Sequence, residues 1–304
     1  KFLQSSGIAL GARGEILVDE QLRTSAPDVF ALGDAVAVTN IVSGKKQTIA
    51  LASPANKQAR IVADVVCGKP ARYTGAQGTA IAKVFGAVVG VTGLGEDYLC
   101  ANGTACAKSI TISASNASYY PGADMMFVKL IFDPQTGRLF GGQIVGGKGV
   151  DKRTDVLAVA IRAKMNVFDL QELELAYAPP FSSAKDPVNM AGYAAGNIVE
   201  GTFRPFFAEA LDGLDDSSVL VDVRTDEEFA QGHIPGAIHC ELEKMRGQLD
   251  MFPKDKELII YCRVGLRGYV AERLLEQKGY KVRNLAGGWL YYEQMMQDRD
   301  RRDV

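Results

Sequence analysis

Histidine is nearly missing from the 304 residues: His233 and His239 are the only two. The five cysteines (Cys67, Cys100, Cys106, Cys240, Cys262) are scattered, and no CxxC occurs. A zinc site of the usual Cys/His type therefore lacks ligands, and no metal is expected. Five cysteines are also too few for a disulfide scaffold. Their odd number leaves at least one thiol free, which fits a reducing, cytoplasmic setting. Neither sign of charge dominates, since 34 Lys plus Arg stand against 36 Asp plus Glu. A surface that tracks phosphates is not expected, and nucleic acid is excluded as a partner. No apolar run approaches the ~20 residues that span a bilayer, so no membrane partner is expected either. The opening KFLQSSGIALGARGEI starts with Lys and has no apolar h-region, so it reads as neither a translation start nor a signal peptide. A chain that begins inside a larger protein is the expectation. A GxGxxG fingerprint for a dinucleotide is missing throughout.

What remains is a composition of 47% apolar and 23% charged residues, that of an ordinary globular protein. At roughly 100 to 200 residues per domain, the length suggests two or three domains. In TSAPDVFALGDAVAV (24–38), the apolar run Val29 to Leu32 ends in Gly33 and Asp34. It reads as a buried strand with a carboxylate at its C-terminal tip, where α/β sheets bind ligands and an acid can meet sugar hydroxyls. A turn aspartate is the plainer reading. In LASPANKQARIVADVVCG, Ser53 can cap and Pro54 can take the first helical position, with Ile61, Val62, Val65 and Val66 as an apolar stripe. The helix is expected from about residue 54, its N–H groups open to an anionic ligand atom.

From Thr79 to about Asn197 the pattern is strand-like (AIAKVFGAVVGVTG, MMFVKLIFD, GRLFGGQIVGG), with DPQTGR as a hairpin turn and RTDVLAVAIRAKM as a helix. This reads as a separate α+β domain. GQIVGGKG (142–149) mimics a P-loop, but Gly149 stands where the Mg-binding Ser/Thr belongs. Gly90, Gly93 and Gly95 read as turn glycines. GNIVEGTFRPFFAEALDG (196–213) looks like a connector. Beyond it lies a compact βα pattern: VLVDVR as a strand, TDEEFAQG as a helix with Thr225 and Glu228 at capping-box spacing, ELIIYC as an apolar strand, RVGLRG as a loop and YVAERLLEQKG as a helix. Cys262 therefore stands at a strand's end ahead of a helix N-terminus, flanked by Arg263 and Arg267. Backbone N–H groups and arginines at such a place stabilise a thiolate, which favours a catalytic cysteine.

These last residues carry a resemblance. VDVRTDEEFAQGHIPGAIH, the loop CRVGLR and the closing NLAGGW make residues 215–295 similar to a rhodanese domain, the sulfurtransferase family. The resemblance implies that Cys262 accepts sulfane sulfur with Arg267 as a catalytic partner, that Arg263 and Gly265 contact the substrate, and that Asp222 and Arg224 form a structural ion pair. TSAPDVFALGD, LASPANKQARIVAD and YAPPFSSAKDPVNMAG make residues 1–197 similar to the C-terminal part of a pyridine nucleotide-disulfide reductase, nearest to the coenzyme A-disulfide reductases and their NADH oxidase and peroxidase relatives. By that resemblance Thr24, Gly33 and Asp34 belong to an FAD motif, and Ala52 and the helix after it face the flavin. Tyr177 would approach the flavin of the other subunit, with Tyr119 or Tyr120 near the reactive sulfur. Asn56 and Lys185 would contact coenzyme A.

The implied fold is α/β and α+β: a remnant of FAD/NAD(P)-binding domains (1–78), an α+β dimerisation domain (79–197), a linker (198–213) and an α/β rhodanese-like domain (214–304). The family's first FAD fingerprint, its NADH-binding domain and its flavin-proximal cysteine have no counterpart in the sequence. The implied function is flavin-dependent reduction of a persulfide, polysulfide or coenzyme A disulfide by NAD(P)H, coupled to sulfur transfer at Cys262, in a homodimer formed through 79–197. Two rivals stand beside it: an NADH oxidase or peroxidase with an appended rhodanese, and a non-catalytic, sulfur-binding dimerising module.

Overall fold

Three sheets organise the chain in the computed structural model, which describes residues 3–302. The first is small: β1 (Ile16–Leu17) runs parallel to β2 (Val36–Thr39), which pairs antiparallel with β3 (Lys46–Thr48). Helix α1 (Ala52–Val66) lays Ile61 and Val62 on Val18, Leu22, Val36 and Val38, and its Val65 is buried too. Two expectations are corrected here. Val29 to Leu32 is not a buried strand: Val29 and Leu32 are 39% and 38% exposed, and Phe30 makes only an isolated bridge to Arg23. The cause is local, since Asp28 adopts φ 57° and the Thr24 hydroxyl donates to the Val29 carbonyl at 3.0 Å, which curls the segment into a turn. The strand is Val36–Thr39, so Gly33 and Asp34 lie in a 3-10 turn at a strand's entrance rather than its exit. Helix α1 begins at Ala52 after an extended Leu51, so Ser53 lies inside it and no side chain caps it.

The second sheet is antiparallel, in the order β4 (Ala80–Val84), β5 (Ala87–Gly93), β8 (Leu139–Gly146), β7 (Met125–Phe132), β6 (Ala107–Ala114). Period-two alternation sends Met126, Val128, Leu130 and Phe132 of β7 to one face, where they are fully buried. There they meet Leu157, Ala160 and Ile161 of α3 (Val150–Arg162), Val167 and Leu170 of α4 (Val167–Glu172), and Val188, Ala191 and Ala195 of α5 (Pro187–Val199). The P-loop mimic thus lies largely in β8. Gly90 sits mid-strand rather than in a turn, because a Cβ there would collide with the Thr154 side chain of α3. A short helix, α2 (Glu96–Ala101), follows β5. Buried Arg153 joins α3 to the cap of α5 through Asp186, Nη2 to Oδ2 at 2.8 Å. Burial alone would raise the Asp186 pKa, but hydrogen bonds from Arg153, the Val188 N–H and Ser182 hold it below its ordinary value.

The third sheet is parallel, in the order β11 (Ile238–His239), β10 (Ser218–Asp222), β12 (Glu257–Tyr261), β13 (Lys281–Leu285), β9 (Pro205–Phe206). Helices α6 (Asp226–Gln231), α7 (Leu266–Glu276) and α8 (Gly288–Arg302) complete it. Strand β12 is apolar on both faces because both are covered, as parallel sheets require. The expected capping box of α6 is present, Thr225 and Glu228 each bonding the other's backbone. Within the expected connector, Pro205 and Phe206 pair with Asn284 and Leu285 at the sheet's edge. Lys108 of β6 lies 4.5 Å over the Phe207 ring, so this segment also touches the second sheet.

One carboxyl at that junction is out of place. Glu272 of α7 is 0% exposed. Its Oε1 accepts the Arg204 N–H at 2.8 Å, and its Oε2 has no partner. Burial, with Glu276 nearby, pushes its pKa up to about 8. The folded protein therefore holds a proton that the unfolded chain has already released above about pH 4.5, and stability falls as pH rises from there toward 8. Glu272→Gln should remove that fall, so that thermal unfolding at about pH 8 occurs at a higher temperature than in the parent. A variant that loses stability across this range as steeply as the parent would refute the assignment.

Candidate sulfur-transfer and cofactor sites

Buried β12 delivers Cys262 to the sheet's C-terminal edge, where it is 1% exposed. The next residues form a short loop that enters α7 at Leu266. Gly265, at φ 109°, turns its N–H onto the Cys262 Sγ at 3.2 Å. Three contacts hold the loop. The first N–H groups of α8 reach back to it, Trp289 to the Cys262 carbonyl at 2.8 Å and Leu290 to the Arg263 carbonyl at 3.0 Å. Asn284 Nδ2 donates to the Gly265 carbonyl at 2.9 Å. Gly288 lets α8 start this close, since a Cβ there would run into the Cys262 carbonyl oxygen. The motif NLAGGW is thus the clamp of the cysteine loop.

Arg267, in the first turn of α7, is close enough to the Cys262 thiol for the two to interact electrostatically, which adds to the rise in the Arg267 pKa. Its other side is gripped by Glu228 of α6 in a two-pronged pair, Nη1 to Oε2 at 2.6 Å and Nη2 to Oε1 at 2.7 Å. Hydrogen bonding to Arg267 is the main reason the Glu228 pKa drops to about 2, and the same pair raises that of Arg267. The carboxylate and guanidinium are therefore both charged through the physiological range. Arg263 is exposed at the loop's outer side. Asp222 and Arg224 form the expected ion pair at 2.6 Å, with Arg224 also bonding the Gly232 carbonyl and lying 4.8 Å over the Trp289 ring. That pair braces the scaffold. Glu228 was legible only as a helix cap; no spacing in the sequence ties position 228 to 267.

The remaining site residues lie on the other two sheets. The Gly33 N–H donates to Gln58 Oε1 at 2.7 Å, which fastens the Gly33–Asp34 turn to α1. Asp34 and Ala52 are exposed beside each other's elements, and the uncapped N-terminus of α1 leaves its leading N–H groups open. These residues fit one side of a flavin cradle: a carboxylate for hydroxyls, a glycine for close approach and a helix end for a carbonyl oxygen. The Thr24 hydroxyl is engaged in its own turn, with the Val29 carbonyl and the Ala26 N–H. Asn56 folds back on α1, its Nδ2 donating to the Ala52 carbonyl at 2.9 Å, and Lys185 is exposed.

Tyr119 and Tyr177 come together. Their loops are joined where the Ala117 N–H donates to the Ser182 carbonyl at 2.9 Å, and the neighbouring Tyr119 phenol raises the Tyr177 pKa. They are 76% and 49% exposed, and Tyr120 stands beside them. A cavity of about 490 Å³ next to Tyr177 is lined by Phe181, Lys148 and Lys152, two cations that the sequence pattern did not single out.

Residues 207–295 match the rhodanese-like domain, 79–187 the dimerisation domain of pyridine nucleotide-disulphide oxidoreductases, and 1–59 the pyridine nucleotide-disulphide oxidoreductase domain. A coenzyme A disulfide reductase of Staphylococcus haemolyticus is 34% identical over 199 residues, covering 65% of this chain and 45% of that protein. A CoA-dependent NAD(P)H sulfur oxidoreductase of Pyrococcus abyssi is 31% identical, covering 60% and 41%. Among solved structures, the reduced CoADR-RHD of Bacillus anthracis superposes with a TM-score of 0.93 at 44% identity, covering 98% of this chain and 54% of that one. An NAD-dependent persulfide reductase from A. fulgidus does so with 0.86 at 37% identity, covering 94% and 52%. The chain spans about half the length of these relatives.

The two-pronged pair makes Arg267 the residue to test. Lysine keeps the charge but cannot hold both Glu228 oxygens and face the sulfur. Loss of one charge-assisted hydrogen bond, worth about 1.5–3 kcal/mol, should slow sulfur loading of Cys262 by roughly tenfold or more in Arg267→Lys. An unchanged loading rate, followed by mass spectrometry, would remove Arg267 from the site.

Proposed function

We propose, for a chain that belongs to the pyridine nucleotide-disulphide oxidoreductases over residues 1–59 and 79–187 and to the rhodanese-like domains over 207–295, that it serves flavin-dependent reduction of persulfides, polysulfides or coenzyme A disulfides by NAD(P)H, coupled to sulfur transfer at Cys262. The division into 1–78, 79–197, a connector and 214–304 goes with this reading. The observation that carries it is the Cys262 loop, a thiol held under a backbone N–H and beside a clamped guanidinium. In the transfer step the Cys262 thiolate attacks the outer sulfur of a donor persulfide. The donor's S–S bond breaks, its thiolate leaves, and Cys262 carries the sulfur as a persulfide anion. The Gly265 N–H and Arg267 stabilise that anion until an acceptor thiolate takes the outer sulfur.

The other half of the reading rests on the phenol pair. FAD, when bound, supplies two-electron chemistry at the cradle of Gly33, Asp34 and the α1 N-terminus, whereas the sequence holds no GxGxxG fingerprint to fit NAD(P)H. Tyr177, its pKa raised by the neighbouring Tyr119 phenol, keeps its proton and can donate it to a departing sulfur. Lys185, with Asn56, would hold the phosphates of coenzyme A. Tyr119, Tyr177 and the 69% exposed Phe181 leave apolar surface open on loops beside the second sheet, which supports a homodimer through 79–197. Five free thiols favour a reducing, cytoplasmic compartment.

Cyanolysis of thiosulfate or polysulfide by the full chain tests the sulfur-transfer step. Activity that disappears in Cys262→Ser supports it. A Cys262→Ser protein that turns over polysulfide as fast as the parent overturns it, and a parent with an inert Cys262 favours the sulfur-binding module instead.

A further inference from the structure

Two thiols outside these sites meet in the second sheet's domain. Cys100 ends the short helix α2 and is exposed, whereas Cys106 precedes β6 and is partly buried against Leu94, Leu99, Ile131 and Phe140. Between them the chain reverses in a tight turn: the Gly103 N–H donates to the Cys100 carbonyl at 3.1 Å, the Thr104 N–H donates to the Leu99 carbonyl at 2.9 Å, and Gly103 takes φ 67°. That reversal turns the strand's start back toward the helix: Lys108 of β6 reaches Glu96 of α2 at 3.1 Å, and Cys106, two residues before Lys108, stands beside Cys100, one turn after Glu96, close enough for the two thiols to interact electrostatically. Burial, then the Cys100 thiol, raise the pKa of Cys106. The other two cysteines outside the Cys262 loop have no such neighbour among the contacts described: Cys67 is exposed at the end of α1, and Cys240 is buried with its thiol on Gln248.

We propose that Cys100 and Cys106 are a dithiol that closes to a disulfide on meeting sulfane sulfur, with Cys100 as the receiving thiol and Cys106 as the resolving one. The choice of sulfane sulfur as oxidant rests on the reading above. In the first step the Cys100 thiolate takes the outer sulfur of a persulfide or polysulfide, whose own S–S bond breaks, and Cys100 becomes a persulfide. In the second, Cys106 loses its proton and attacks the Cys100 Sγ. The new Sγ–Sγ bond forms and hydrosulfide leaves with the electron pair. Two thiols are oxidised, and the transferred sulfur is reduced to hydrosulfide. The order of roles follows from exposure, since a reagent from solvent reaches Cys100 first. Cys106 is a weak thiolate, but its contact with Cys100 replaces concentration by proximity. The closed pair would tie α2 to β6 at the face that meets the third sheet. There Glu96 of α2 bridges Lys108 and Lys129 at 3.1 and 2.7 Å, and Lys108 covers Phe207.

Both cysteines fall in one tryptic peptide, 84–108, which makes the test direct. The full chain carrying Cys262→Ser is reduced, freed of reductant, treated with sodium polysulfide without oxygen, alkylated and digested. The proposal expects peptide 84–108 to be two hydrogens lighter and closed to alkylation, with one hydrosulfide released for each pair closed. Adding Cys106→Ser should halt the reaction at a persulfide on Cys100, and adding Cys100→Ser should leave Cys106 free. Recovery of the peptide with both thiols alkylated, or with separate persulfides on both, overturns the proposal. The double variant Cys100→Ser with Cys106→Ser, bearing native Cys262, is treated in parallel. Sulfur on its Cys262 upholds the transfer reading whatever the pair does, and none there counts against that reading alone.

Discussion

The C-terminal domain depends on one backbone arrangement: the N-terminus of α8 hydrogen-bonding the carbonyls of Cys262 and Arg263. A helix end has N–H groups with no partner of its own, and here two of them are satisfied by the loop that carries Cys262. The loop cannot relax without stranding those donors, so its own N–H groups remain directed inward. Gly288 is what permits the approach, and Asn284 closes the loop from the other side. Position thus comes from backbone, and electrostatics is added by Arg267. The Glu228 fork fixes where that guanidinium points; a free arginine at the helix start would lose side-chain entropy on each approach to the sulfur.

The same economy of parts marks the junction with the second sheet. Pro205 and Phe206 complete the rhodanese-like sheet's edge, Phe207 lies under Lys108, and Gly287 of the NLAGGW turn sits close to Ile110 of β6. The clamp on Cys262 and the edge strand of the dimerisation domain are therefore neighbours. The clamp of the cysteine loop and the packing of that edge strand thus meet at Gly287 and Ile110.

Local information was legible in the sequence. The Cys262 to Arg267 loop is contiguous, and the capping box of α6 has a fixed spacing, so both are visible in the residues alone. The β7 and β8 strands and helix α3 follow from periodicity. Long-range pairing was not legible. Glu228 and Arg267 are 39 residues apart, and nothing local marks the carboxylate as more than a cap. The pairing of Tyr119 with Tyr177 came only through resemblance, because two loops far apart in sequence are brought together by the Ala117 to Ser182 hydrogen bond. Val29 to Leu32 misled because an apolar run was weighed without the left-handed Asp28 that curls it. Gly90 misled because the reason for a glycine was a helix packed above the strand, not a turn. The thiol pair of Cys100 and Cys106 was hidden in a turn that composition describes only as rich in glycine and alanine.

The central claim is that Cys262 carries sulfur in a cradle built by the chain itself. A crystal structure of the full chain soaked with polysulfide addresses it most directly. The account predicts an added sulfur on the Cys262 Sγ, within hydrogen-bond reach of the loop N–H groups and the Arg267 guanidinium. An unmodified Cys262 under conditions that place sulfur on other cysteines, or an added sulfur that points away from both, would contradict it.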